Sequence, residues 1–248
     1  VNPFLANAGR SLGIRIRSFF WLHPEWWTIG LAGAAWTVML HHAWRNSGHG
    51  VHHAMTLIAE TVDWIVMVFA MMLPLITGAV RFTASASLWA RRHRAIGGFL
   101  LGYLAPWLAV GFAAALLRQA GWTHSYTAPA LCFVLAARWQ GTTTYKRAQW
   151  ACHRTRPIAP LGWPADRDCL RFGSLIGLAC VRTCWPLMLA CEFAGHSPIA
   201  LVGGMVIGLV EKRRFERRRR PSAFIATGTM AAYYAVLAIL EIRQSMTS

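Results

Sequence analysis

Residues 61–81 read TVDWIVMVFAMMLPLITGAVR, with Asp63 near one end, Arg81 at the other and no charge between them. About 20 mainly apolar residues suffice to cross a hydrocarbon core roughly 30 Å thick, so this stretch reads as a membrane-spanning helix. Working outward, six more runs of the same kind fall at 26–44, 96–117, 127–145, 171–191, 197–212 and 222–241. The expected fold is all-α, a polytopic membrane helix bundle of about seven transmembrane helices occupying 26–241. Residues 1–25 read as an amphipathic basic lead-in on the cytoplasmic side and 242–248 as a short tail. Segment 142–170 reads as a cytoplasmic loop in which Pro157, Pro160, Gly162 and Pro164 interrupt any long helix.

The charges orient the runs. The chain of 248 residues is 56% apolar and 14% charged, yet its net charge is +16. A nucleic-acid-binding domain also has a basic balance, but there the charge gathers on one face or patch. Here Lys and Arg alternate between connecting segments, 20 on one side and 3 on the other, with Arg138 and Arg182 inside runs. That is the positive-inside pattern, with a cytoplasmic N-terminus and an extracytoplasmic C-terminus. It excludes a nucleic-acid partner and points to a multi-pass protein of the bacterial cytoplasmic (inner) membrane. Trp26, Trp27, Trp44, Trp64, Trp122 and Trp150 fall near run ends, where an indole prefers the headgroup layer. Trp36, Trp107 and Trp185 fall mid-run and are expected to fill packing. The cluster Arg217, Arg218, Arg219 and Arg220 is expected to attract anionic lipid at about 1 kcal/mol per charge.

Sulfur is the chemically distinctive element. The six Cys do not read as the disulfide framework of a small secreted domain. Cys180, Cys184, Met188 and Cys191 follow steps of 4, 4 and 3, which at about 100° per residue places them within an arc of roughly 80° on one helix face. Glu60, Asp63, Met67, Met71 and Pro74 form a matching stripe on the earlier run, with Met72 pointing elsewhere. In the expected topology Asp63 is level with Cys191, Met67 with Met188, and Met71 near Cys184. Thiolate and thioether ligands select Cu(I), and a carboxylate near the outer mouth suits capture of the ion. The bland alternative is that these Met and Cys are core fillers. Cys132, Cys152 and Cys169 lack comparable partners and read as structural.

His41, His42, His49, His52 and His53 crowd the first outer loop, with Glu192 and His196 in a later one. Neutral imidazole is the commonest metal ligand, which makes the five His a possible outer metal entry; a solvated interfacial loop is the alternative. Gly98/Gly102 and Gly204/Gly208 have the small-residue spacing of close helix packing. Glu211 beside Lys212 reads as a local ion pair at the cytoplasmic surface. No nucleophile motif, P-loop, dinucleotide fingerprint or zinc-hydrolase spacing occurs, so an enzyme acting alone is not expected.

Trp64-x-x-Met67-x-x-Ala70-Met71-Met72-Leu73-Pro74 is followed by Leu101-Gly102-Tyr103 with Trp107, then Tyr145-Lys146 with Cys152. Next come Gly177-Leu178-x-Cys180-x-x-x-Cys184-Trp185-x-Leu187-Met188 and Glu211-Lys212. In this order the elements resemble domain-of-unknown-function family 2182, predicted metal-binding integral membrane proteins often labelled copper chaperones, over about residues 60–240. The sequence departs from the family pattern at Thr183, where a second adjacent cysteine is expected. The resemblance implies that Met67, Met71, Met72, Cys180, Cys184 and Met188 are the positions to watch and that copper is the cargo.

Three functions compete at this point. The first is binding or delivery of copper on the extracytoplasmic side, chaperone-like, to a copper-dependent enzyme in the same membrane. The second is a metal-free accessory subunit of a larger membrane complex. The third is a small metal transporter, which requires soft ligands to continue toward the cytoplasm. On the sequence, Cys180 is the last such ligand inward.

Overall fold

The computed structural model describes residue 23 and residues 25–46, 56–119, 126–217 and 223–247. Among them the chain is helical and no strand occurs: α1 (Trp26–Asn46), α2 (Leu57–Met72), α3 (Thr77–Ala86), α4 (Arg92–Gln119), α5 (Thr127–Gln140), α6 (Thr143–Cys152), α7 (Gly162–Phe193), α8 (Pro198–Arg217) and α9 (Ala223–Thr247). Short 3₁₀ turns, Leu73–Ile76 and Trp89–Arg91, join α2 to α3 and lead into α4.

Four continuous helical stretches are long and apolar enough to cross a membrane: Leu57–Ala86, Trp89–Gln119, Gly162–Phe193 and Ile225–Gln244. The other expected spans correspond to α1, α5 and α8. With 14 residues, α5 is only about 21 Å long at 1.5 Å per residue, and α8 ends in the charged run Glu211-Lys212-Arg213-Arg214. Most of the expected lead-in, together with His49, His52, His53, Trp122, Arg218, Arg219 and Arg220, lies outside the described residues. Within 142–170, α6 is capped by Thr142, whose hydroxyl accepts from the Tyr145 amide at 3.1 Å. Pro157 and Pro160 fall in the linker after α6, and Pro164 sits in the first turn of α7, where a missing N–H removes no helix bond.

The central pair is α4 against α7, the most extensive helix–helix contact of the bundle. Glycines make it possible. A Cβ at Gly102 would run into the Leu170 carbonyl, and one at Gly173 or Gly177 into the carbonyls of Phe99 and Tyr103. Backbones approach this closely only where a side chain is absent. Gly102 bears out half of the expected Gly98/Gly102 pair; Gly173 and Gly177 carry the other side of the contact. Arg91 and Arg94 both bind Asp166, at 2.6 and 2.8 Å, so the N-terminal ends of α4 and α7 share one end of the bundle. Lys146, Arg147, Arg154 and Arg156 are exposed. At the opposite end Arg118 meets the buried Glu192 at 2.8 Å, which His196 also contacts at 2.8 Å. The Arg118–Glu192 ion pair therefore closes α4 onto α7, with His196 packed against the same carboxylate.

Prolines and tryptophans are coupled. A proline inside a helix removes the bond to the carbonyl four residues earlier. Pro74 frees the carbonyl of Ala70, which accepts from the Trp36 indole at 3.0 Å. Pro186 frees that of Arg182, which accepts from the Trp139 indole at 2.8 Å. Trp36 thus completes a backbone rather than merely filling space. Trp64, read from sequence as interfacial, is 1% exposed and donates to the Trp107 carbonyl at 2.9 Å; being on the inner face of α2 outweighs its nearness to the helix end. Trp26, Trp27, Trp44 and Trp150 are exposed, as expected of interfacial indoles.

Candidate metal centre

The sulfur residues of α2 and α7 are buried in one apolar core: Met67, Met71, Met72, Cys180, Cys184, Met188 and Cys191 all belong to it. All six cysteines are free, in line with the reading against a disulfide framework. The sulfurs divide into two groups rather than meeting along a common seam, because α2 packs chiefly on α1 and α4, and α4 on α7.

The first group forms where α2 passes into its 3₁₀ turn. The Cys180 thiol lies 3.8 Å from Met72 Sδ and accepts from the Tyr103 hydroxyl at 3.2 Å. Cys184 follows one helical turn on along α7, and both cysteines line the same cavity. Sulfurs each about 2.3 Å from one metal ion stand about 4 Å apart, so the Cys180–Met72 separation suits two ligands of a single ion. Two thiols and a thioether are a soft donor set of the kind that favours Cu(I) over harder cations. Met72, which helical spacing sets apart from the stripe, is the methionine beside the Cys180 thiol.

The second group lies on α8. A Cβ at Gly204 would meet Met71 Cε at 2.6 Å and Cys191 Sγ at 2.9 Å, so both residues pack over this glycine. The Cys191 thiol donates to the Ala200 carbonyl at 3.3 Å. Met67 and Met188 are fully buried; on their own helices they occupy turns between the bundle end and the first group. Nearer that end, His42 Nδ1 stands 4.0 Å from Asp63 Oδ1, both partly accessible. Among the described outer candidates, His42 stands beside the carboxylate, and His41 is its ring neighbour at 6.3 Å. Among the described residues no three His, Cys, Asp or Glu side chains gather around one point, which leaves the mixed Cys–Met set as the candidate.

Sequence reasoning missed what lies on the basic side of this set. Cys180 and Cys184 line a cavity of about 450 Å³ together with Cys152, Tyr145 and Glu211. Thr183 bridges two of the thiols: its hydroxyl is 3.4 Å from Cys184 Sγ and within hydrogen-bonding reach of Cys152. Burial pushes the Cys152 thiol up to about 12. Glu211 and Tyr145 line the same wall of the cavity, and Lys212 reaches the Thr77 hydroxyl at 3.4 Å. Tyr145, Cys152 and Glu211 were visible as resemblance elements, but the spacing on α2 and α7 gives no sign that α6 and α8 join the site. Arg138 and Arg182 are exposed on the bundle surface, away from the sulfurs.

Comparison with curated proteins and with solved structures gives no match. Residues 61–238, which include every sulfur residue of both groups and the cavity's Cys152, match the PpoB2 family, described as a copper chaperone, and the chain belongs to that family.

Proposed function

We propose that this protein is a membrane-embedded copper chaperone that holds Cu(I) on Cys180, Cys184 and Met72. The observation that carries the reading is the 3.8 Å approach of the Cys180 thiol to the Met72 thioether, with Cys184 one helical turn away, inside an otherwise apolar core. Cys180, Cys184 and Met72 are all buried, and thiol and thioether donors are the ones Cu(I) prefers. Tyr103 orients the Cys180 sulfur through its hydroxyl. Each thiol must lose its proton to bind the ion, so affinity increases with pH.

On this reading the ion arrives at the extracytoplasmic end, where His42 and Asp63 offer harder ligands, and passes the turns of Met67 and Met71 to the thiols. Delivery is to a copper-dependent protein of the same bacterial inner membrane. The bilayer surrounds the apolar helices, and anionic lipid binds the basic face at Arg217, Arg218, Arg219 and Arg220. Copper counted per chain in purified, Cu(I)-loaded protein tests the site. The unaltered chain is expected to retain about one ion, and Cys184→Ser and Cys180→Ser to lose it at least tenfold more readily to a competing chelator. Equal retention in all three would remove these sulfurs from the account.

A further inference from the structure

The cavity opens a question that the sulfur site alone does not. A holding site reached from the extracytoplasmic end needs no space on the opposite side, yet Cys180 and Cys184 both face a cavity of about 450 Å³ whose lining includes Arg154, Thr155 and Lys212. Arg154 and Thr155 follow α6 in the linker, and Arg154 is exposed. The cavity therefore belongs to the basic end of the bundle, the cytoplasmic end by the positive-inside rule. A third thiol, Cys152, lines it too, and the Thr183 hydroxyl lies between Cys152 and Cys184. A third soft ligand thus stands beside the Thr183–Cys184 turn, on a helix other than α2 or α7, and shares with Cys180 and Cys184 the cavity that reaches the basic end.

We propose that this cavity is a second exchange port, through which Cu(I) held at Cys180, Cys184 and Met72 passes to the cytoplasmic side by way of the Cys152 thiol. The inference rests on the copper-holding reading and adds a direction to it. The step is a ligand exchange without oxidation. Cys152 gives up its proton as its sulfur binds Cu(I), the proton passes to the Cys184 sulfur that lets go, and the ion keeps its charge throughout. Thr183 donates its hydroxyl proton to the Cys180 carbonyl at 2.8 Å and can accept from whichever of the two sulfurs carries the proton. Transfer from Cys152 to an acceptor then requires only that a small thiol or a partner's thiol enter the cavity, which has room for several heavy atoms.

The test uses the full chain in proteoliposomes of known orientation, loaded with Cu(I). Release is followed by the colour of a membrane-impermeant Cu(I) chelator, bathocuproine disulfonate, on the basic side. Thiol access is read in parallel by peptide mapping after a membrane-impermeant methanethiosulfonate. The expected result is at least tenfold slower release from Cys152→Ser at unchanged copper content, with Cys169→Ser releasing at the parent rate. In the unaltered chain, Cys152 is expected to be modified from the basic side and protected when Cu(I) is bound. Parent and Cys152→Ser releasing at the same rate, or Cys152 reacting equally with and without Cu(I), would overturn the port while leaving the holding site intact. Failure of the unaltered chain to load Cu(I) would overturn both. The labelling arm needs no substitution, so the port stays testable even where Cys152→Ser does not fold.

Discussion

Met72 and Met71 are neighbours in sequence and differ in what they touch. Met72 meets the Cys180 thiol at 3.8 Å, whereas Met71 packs over Gly204 beside Cys191. Met72→Leu keeps the volume and removes the thioether. It is expected to weaken Cu(I) retention at least tenfold in a chelator competition, while Met71→Leu changes it less than threefold; the reverse order would place the ion in the α8 group. Thr183 sits between the Cys184 and Cys152 sulfurs, so Thr183→Cys adds a soft ligand at a point already in reach of both. Cu(I) affinity is expected to increase in that variant, measured by the same competition. The individual site residues were legible as a sulfur-rich pattern, and the pairing was not. Helical spacing assigns Met71 and Met72 to different faces correctly, but which face meets Cys180 depends on α4 lying between α2 and α7.

At the scale of the element, the helices carry prolines at a tolerable energy because neighbouring indoles complete their backbones. Trp36 takes the Ala70 carbonyl freed by Pro74, and Trp139 takes the Arg182 carbonyl freed by Pro186. Phe in place of Trp139 preserves the ring and deletes the donor, leaving that carbonyl short of a partner one turn before the proline. Interhelical hydrogen bonds in membranes are worth about 0.6 kcal/mol on average and up to about 1.7, so Trp139→Phe is expected to cost about 1 kcal/mol in detergent unfolding. Trp139→Phe with Pro186→Ala, which restores the helix bond, is expected to recover most of that. The α4–α7 contact is less forgiving. Gly173→Ala places a methyl group against the Phe99 carbonyl, and overpacking of this kind costs about 1–3 kcal/mol, to be seen as a lowered melting temperature. The sequence marks the prolines and the small-residue repeats as features, but a Trp donor for a given carbonyl is a property of the packed bundle.

Across the whole molecule, the two ends differ in charge and in chemistry. The basic end holds the Arg91–Asp166–Arg94 pairing and the cavity; the other holds the buried Arg118–Glu192–His196 group and the His42–Asp63 pair. An all-helical chain with long apolar elements was legible from hydropathy, because apolar runs of this length have few other uses. Helices α1, α5 and α8 are where length and composition stop being decisive, since each is shorter or more polar than the four long stretches. The orientation proposed here predicts that a reporter enzyme active only outside the cytoplasm works when fused after residue 248 and fails when inserted at Arg156. The opposite result would invert the bundle and exchange the roles of its two ends.

The central claim is that two thiols and one thioether hold the cargo, and X-ray absorption at the copper edge counts those atoms directly. The account predicts a Cu(I) edge and a first shell of about three sulfurs near 2.3 Å, falling by one sulfur in Met72→Leu. A first shell made of nitrogen or oxygen, or a sulfur shell unchanged in both Met72→Leu and Cys184→Ser, would contradict it.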